Sequence, residues 1–91
     1  MTYEDEIKPY RDTIDSINNE IILLIAERQE AALAIGEIKK KYGKPIVDKS
    51  REQAILDKIK LKASENSLDP EALEWVFKAI IRLFVEAEEN K

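Results

Sequence analysis

The sequence contains no cysteine and no histidine. The first absence excludes disulfides and thiolate chemistry. The second, together with it, removes the usual zinc sites and imidazole acid–base catalysis. Glycine and proline are scarce, at 2 and 3 copies, so few places oblige a helix to stop. No apolar run approaches the ~18 residues needed to cross a bilayer. The opening stretch "MTYEDEIKPYRD" is acidic and lacks the apolar segment of a signal peptide. No membrane contact is expected, and the expected location is the cytoplasm. Positive charge is also short: 15 basic side chains stand against 19 acidic ones, for a net charge of −4. Such a chain is a poor nucleic-acid binder, because that function needs a basic face. Any anion must instead be held by a few placed cations. The sequence carries no glycine-rich phosphate loop, no metal-ligand cluster and no activated nucleophile, so no metal or other cofactor is expected.

What is present is helix. With 91 residues and a hydrophobic fraction of 44%, the chain suits one domain spanning residues 1–91, near the size where a single core is only just sufficient. Two stretches punctuate it. In "YGKPIVD" at 42–48, Gly43 can supply a left-handed helix end and Pro45 prevents continuation. In "ENSLDPEA" at 65–72, Asp69 is a natural N-cap and Pro70 suits the first helical position. Three helices follow, at roughly 4–42, 49–65 and 70–89, with no strand signal and no repeat. At the second start, Ser50 and Gln53 offer a capping box, and Asp48 competes as the cap.

The first helix is too long for its domain. At ~1.5 Å rise per residue it would run roughly 57 Å, against a diameter of about 30 Å for a compact chain of this size. Its apolar stripe then needs cover from another chain, and a symmetric, intertwined homodimer is the economical solution. The alternative is a helix broken near Gly36 that folds back into a monomeric bundle.

Stepping by seven along this helix meets Ile7, Ile14, Ile21, Arg28, Ile35 and Tyr42. Arg28 is thus a cation on an otherwise apolar seam. On an ideal helix Lys39 lies about 20° from Arg28 around the axis and three turns along, whereas Arg11 is some 80–100° away and roughly 25 Å off. One small ligand cannot reach both arginines of one straight helix. In an antiparallel or crossed dimer, Arg11 of one chain can arrive beside Arg28 and Lys39 of the other. The second helix adds Glu52 on its apolar side with Arg51 at the rim, and on the third Glu88 continues the line of Phe77, Ile81 and Phe84. Charges near helix ends, such as Arg11, Lys39 and Glu88, can also be explained as snorkelling groups, register-fixing pairs or dipole partners. Arg28 is mid-helix and is explained less easily that way. Several cations in an apolar bundle will bind a small, multiply charged anion. Chemistry there must rely on positioning and electrostatics.

The order Arg11, Arg28 within "LIAERQEAALAIGEIK", Lys39, then "PIVDKSREQAIL" with Asp48, Arg51 and Glu52, resembles the all-helical class of chorismate mutases, from about residue 4 to 89. The resemblance implies an all-α, intertwined homodimer with two active sites, each shared between chains. It implies the unimolecular [3,3] rearrangement of chorismate to prephenate, a step of phenylalanine and tyrosine biosynthesis that needs no cofactor. Carried over position by position, Arg28 and the other chain's Arg11 hold the two substrate carboxylates, and Lys39 meets the ether oxygen. Glu52, with Asp48 nearby, binds the ring hydroxyl, and Arg51 borders the site. Two positions depart from the family pattern. Phe84 stands where many relatives have a small polar residue, so either a carboxylate contact is missing or an aromatic wall closes the pocket. Glu88 stands where many relatives carry a glutamine that donates to the ether oxygen, which an ionised carboxylate cannot do. An isochorismate pyruvate-lyase shares this fold and most of these cations, and a catalytically silent dimerisation or regulatory module is the remaining alternative.

Overall fold

A computed structural model describes residues 1–90 and contains three helices: α1 (Tyr3–Lys41), α2 (Lys49–Glu65) and α3 (Pro70–Glu89). The described residues contain no strand. The expected boundaries differ from these by one residue at each end of α1 and coincide at α2 and α3. Contacts divide the chain into two compact units, Met1–Ala31 and Ala32–Lys91.

The first unit is helical almost throughout. It opens with a reciprocal cap, in which the Asp5 N–H donates to Thr2 Oγ1 at 3.1 Å and the Thr2 N–H donates to Asp5 Oδ2 at 3.2 Å. This is the capping-box arrangement with aspartate in place of glutamate. Glu4, Asp5 and Glu6 place negative charge in the first turn, where the dipole favours it. Pro9 follows one turn later and costs the helix one backbone donor. The apolar side chains here are uncovered: Ile22, Leu23 and Leu24 are 63%, 67% and 62% exposed, and α1 buries no residue at all.

In the second unit α1 continues without a break at Gly36 and ends as the sequence indicates. Gly43 has φ +64°; its N–H donates to the Lys40 carbonyl at 3.2 Å, and the Lys44 N–H reaches back to Lys39 at 2.8 Å. These two bonds form the Schellman ending that a left-handed residue permits. Asp48 takes the cap of α2, its Oδ1 accepting from the Arg51 N–H at 3.0 Å. Gln53, the other half of the alternative box, instead donates to Asp57 Oδ1 at 2.9 Å. Asp69 caps α3 by accepting from the N–H groups of Glu71 and Ala72, and Pro70 opens the helix.

Helix α2 ends in a second Schellman turn, with the Leu68 N–H bonded to the Ala63 carbonyl at 2.9 Å and the Ser67 N–H to Ser64 at 3.3 Å. Here the left-handed residue is Ser67, at φ +59°. This short turn folds α3 back onto α2. Leu56, Ala63 and Phe84 form the core and are the buried hydrophobic residues among those described. Lys60 of α2 adds ion pairs to Glu71 at 3.4 Å and Glu74 at 3.9 Å on α3.

Candidate active site

The Schellman ending of α1 directs the loop 42–47 back along the helix, and the Lys39 ammonium donates to the Ile46 carbonyl at 2.6 Å in a part-buried setting. Ile46 also lines a cavity of about 270 Å³ with Leu33, Gly36, Lys40 and Glu88. Glu88 Oε2 is buried there without a hydrogen-bond partner among the described residues. A buried acceptor left unpaired is costly. One residue on, Val47 lines a groove of about 490 Å³ between α2 and α3, shared with Glu52, Leu56, Ile81 and Val85. Glu52 is 22% exposed there, and Lys49 stands 3.8 Å from its Oε1. The short segment Ile46–Val47 thus borders both recesses, with Glu88 in one and Glu52 in the other.

The remaining expected site residues fall in different settings. Asp48 and Arg51 are exposed, and one Asp48 oxygen serves the helix cap. Phe84 is 3% exposed, so its ring is core in the second unit. In the first unit Arg28 is half-buried. Arg11 pairs with Glu4 at 3.1 Å, with the two side chains 60% and 72% exposed. A pair this open is worth little, so Glu4 does not hold Arg11 back from a stronger anion.

Three participants were not foreseen from sequence. The Ile46 carbonyl as partner of Lys39 depends on loop geometry that composition does not encode. Lys49 as neighbour of Glu52 has the signal of i,i+3 spacing, which is common on solvated faces. Gly36 carried a readable signal: a glycine inside an unbroken helix weakens it and implies that something comes close. Among the described residues no group of histidine, cysteine, aspartate or glutamate side chains is arranged to hold a metal ion. No described helix is long and apolar enough to cross a membrane.

Residues 10–89 match the family described as chorismate mutase type II. The chain is 34% identical to the chorismate mutase of Methanocaldococcus jannaschii, over 96% of this chain and 95% of that one. It is 31% identical to the T-protein of Enterobacter agglomerans, over 94% of this chain but 23% of that protein. A segment covering 60% of this chain is 46% identical to part of the bifunctional chorismate mutase/prephenate dehydratase of Aquifex aeolicus, 15% of whose length it spans. The chain therefore corresponds to less than a quarter of the T-protein and to nearly the whole of the archaeal mutase. It belongs to the chorismate mutase type II family.

Proposed function

We propose that the chain is a chorismate mutase, converting chorismate to prephenate in phenylalanine and tyrosine biosynthesis, and that it works as a cytoplasmic homodimer. The observation that carries this reading is the family match over residues 10–89, which spans Arg11, Arg28, Lys39, Asp48, Arg51, Glu52, Phe84 and Glu88. The rearrangement is intramolecular, so it asks the protein only to hold a reactive conformer and to stabilise the charge that develops. Arg28, with Arg11 of the partner subunit, grips the two carboxylates, which a guanidinium fork matches in shape. Lys39 faces the ether oxygen as the C–O bond breaks; its tether to Ile46 sets the ammonium in advance, so little reorganisation is needed. Glu52, with Asp48 nearby, receives the ring hydroxyl, while Arg51 borders the site and Phe84 backs its wall. Glu88 supplies a hydrogen bond to the ether oxygen when protonated.

A second copy of the chain is supported by burial. The unit Met1–Ala31 is essentially one helix with no buried residue, and Ile14, Ile17 and Ile21 are about half exposed or more open still, at 55%, 47% and 46%. A lone helix gains most of its stability from covering such a stripe. A partner's identical stripe is the matching surface in a two-fold dimer.

Incubating the purified protein with chorismate and identifying the product tests the activity. Prephenate is expected. Release of pyruvate from isochorismate, with chorismate untouched, would make the chain a lyase, and a folded dimer inert to both would make it a silent module.

A further inference from the structure

We infer that Gly36 is a positioning residue, leaving the space that seats the Glu88 side chain against α1. The inference rests on the reading above, in which Glu88 meets the reacting ether oxygen. A Cβ built on Gly36 would stand 3.1 Å from Glu88 Cγ, and 3.5 Å from both its Cβ and its Cδ. The first distance is tighter than ordinary carbon–carbon contact, so a methyl group there moves the Glu88 side chain by a few tenths of an ångström. Gly36 lies inside an unbroken helix, where glycine is the poorest ordinary choice for helix stability. At this position no left-handed conformation calls for glycine, since among glycines the positive φ belongs to Gly43. Space is what remains to explain it. The occupant of that space is a carboxyl whose Oε2 is buried and has no hydrogen-bond partner among the described residues; Glu88 lines a cavity together with Ile46, the residue whose carbonyl holds Lys39. No hydrogen bond from the described residues fixes that oxygen, so the fit of its methylenes against the bare Gly36 backbone sets where it points.

The test compares the parent, Gly36→Ala, Glu88→Ala and the double variant in kcat, KM and melting temperature. In the parent background Gly36→Ala is expected to lower kcat about tenfold with KM within about twofold, because small misplacements of a reacting group are costly. In the Glu88→Ala background the same change should alter kcat by less than about twofold, since nothing remains to displace. Equal losses in both backgrounds, or no loss in the parent, would overturn the inference. Should the parent fail to convert chorismate, the functional reading fails separately, and melting temperatures decide the seat. Replacing glycine by alanine strengthens a helix, so the rise should be larger when Glu88 is absent; the same shift in both backgrounds removes the seat. If Gly36→Ala alone does not fold, a folded double variant supports the inference and an unfolded one overturns it.

Discussion

Replacing Lys39 with alanine should produce two separable losses. The first is structural. The ammonium donates to the Ile46 carbonyl at 2.6 Å in a part-buried site, and a hydrogen bond to a charged group contributes about 1.5–3 kcal/mol. Partial exposure places the loss near the low end, about 1.5 kcal/mol. For a chain of this length each kcal/mol moves the melting temperature by roughly 4–8 °C, so a fall of about 6–12 °C is expected, measured by circular dichroism at fixed protein concentration because dimers melt in a concentration-dependent way. The second loss is catalytic. Removing one preorganised donor aimed at developing charge costs ~10²–10³ in kcat, or about 2.7–4 kcal/mol. Because that charge appears only in the transition state, KM should change far less. Lys41→Ala is the control: Lys41 lies two residues on, is exposed and stands over the Tyr42 ring at 5.5 Å. It removes the same charge from the same helix end and should leave kcat within about twofold. The assay follows the loss of chorismate absorbance across substrate concentrations at a temperature where all three proteins are folded. A Lys39→Ala protein with near-normal kcat and a raised KM would refute the placement of Lys39 at the ether oxygen.

Two further outcomes are expected. Ser67 holds a left-handed backbone at φ +59° in the α2–α3 turn, which costs a non-glycine residue about 1 kcal/mol or more; Ser67→Gly should raise the melting temperature by roughly 4–8 °C without changing kcat, and a fall would show that the serine side chain supports the turn. If Glu88 donates to the ether oxygen, only its protonated form is active, so Glu88→Gln, a permanent donor, should flatten the pH dependence of kcat and raise activity on the alkaline side. Superimposable profiles from about pH 5 to 9 would exclude the donor role.

The helices were legible because their ends are written in residues with single physical meanings. Gly43 and Pro45 stop α1, and Asp69–Pro70 starts α3. Asp48 and Ser50 competed in the sequence, and the observed Asp48 cap releases Gln53 to bond within α2. The end of α2 was less plain, because Ser67 does a glycine's task and serine seldom signals a left-handed residue. The seam of α1 was visible as a pattern, yet within one chain it buries nothing. A period reports which residues want cover and is silent on what supplies it. At the site the charged groups stood out, since charges on apolar faces are rare. Their supports stood out less: a backbone carbonyl at Ile46 leaves no mark in composition, and Gly36 shows only as a glycine inside a helix. Phe84 was read as a departure from the family pattern, and in the structure it is one of the few core residues.

Mixing two inactive proteins tests the central claim most directly, since it asks at once for mutase activity and for sites built from both chains. Arg11→Ala and Arg28→Ala homodimers should each be folded and nearly inactive toward chorismate. After subunit exchange at equal amounts, half of the dimers are mixed and each carries one intact site of two, so about a quarter of the parental activity should return. Prephenate must be the product recovered. A mixture as inactive as its components would contradict shared sites, and an active, monomeric parent in sedimentation would contradict the dimer itself.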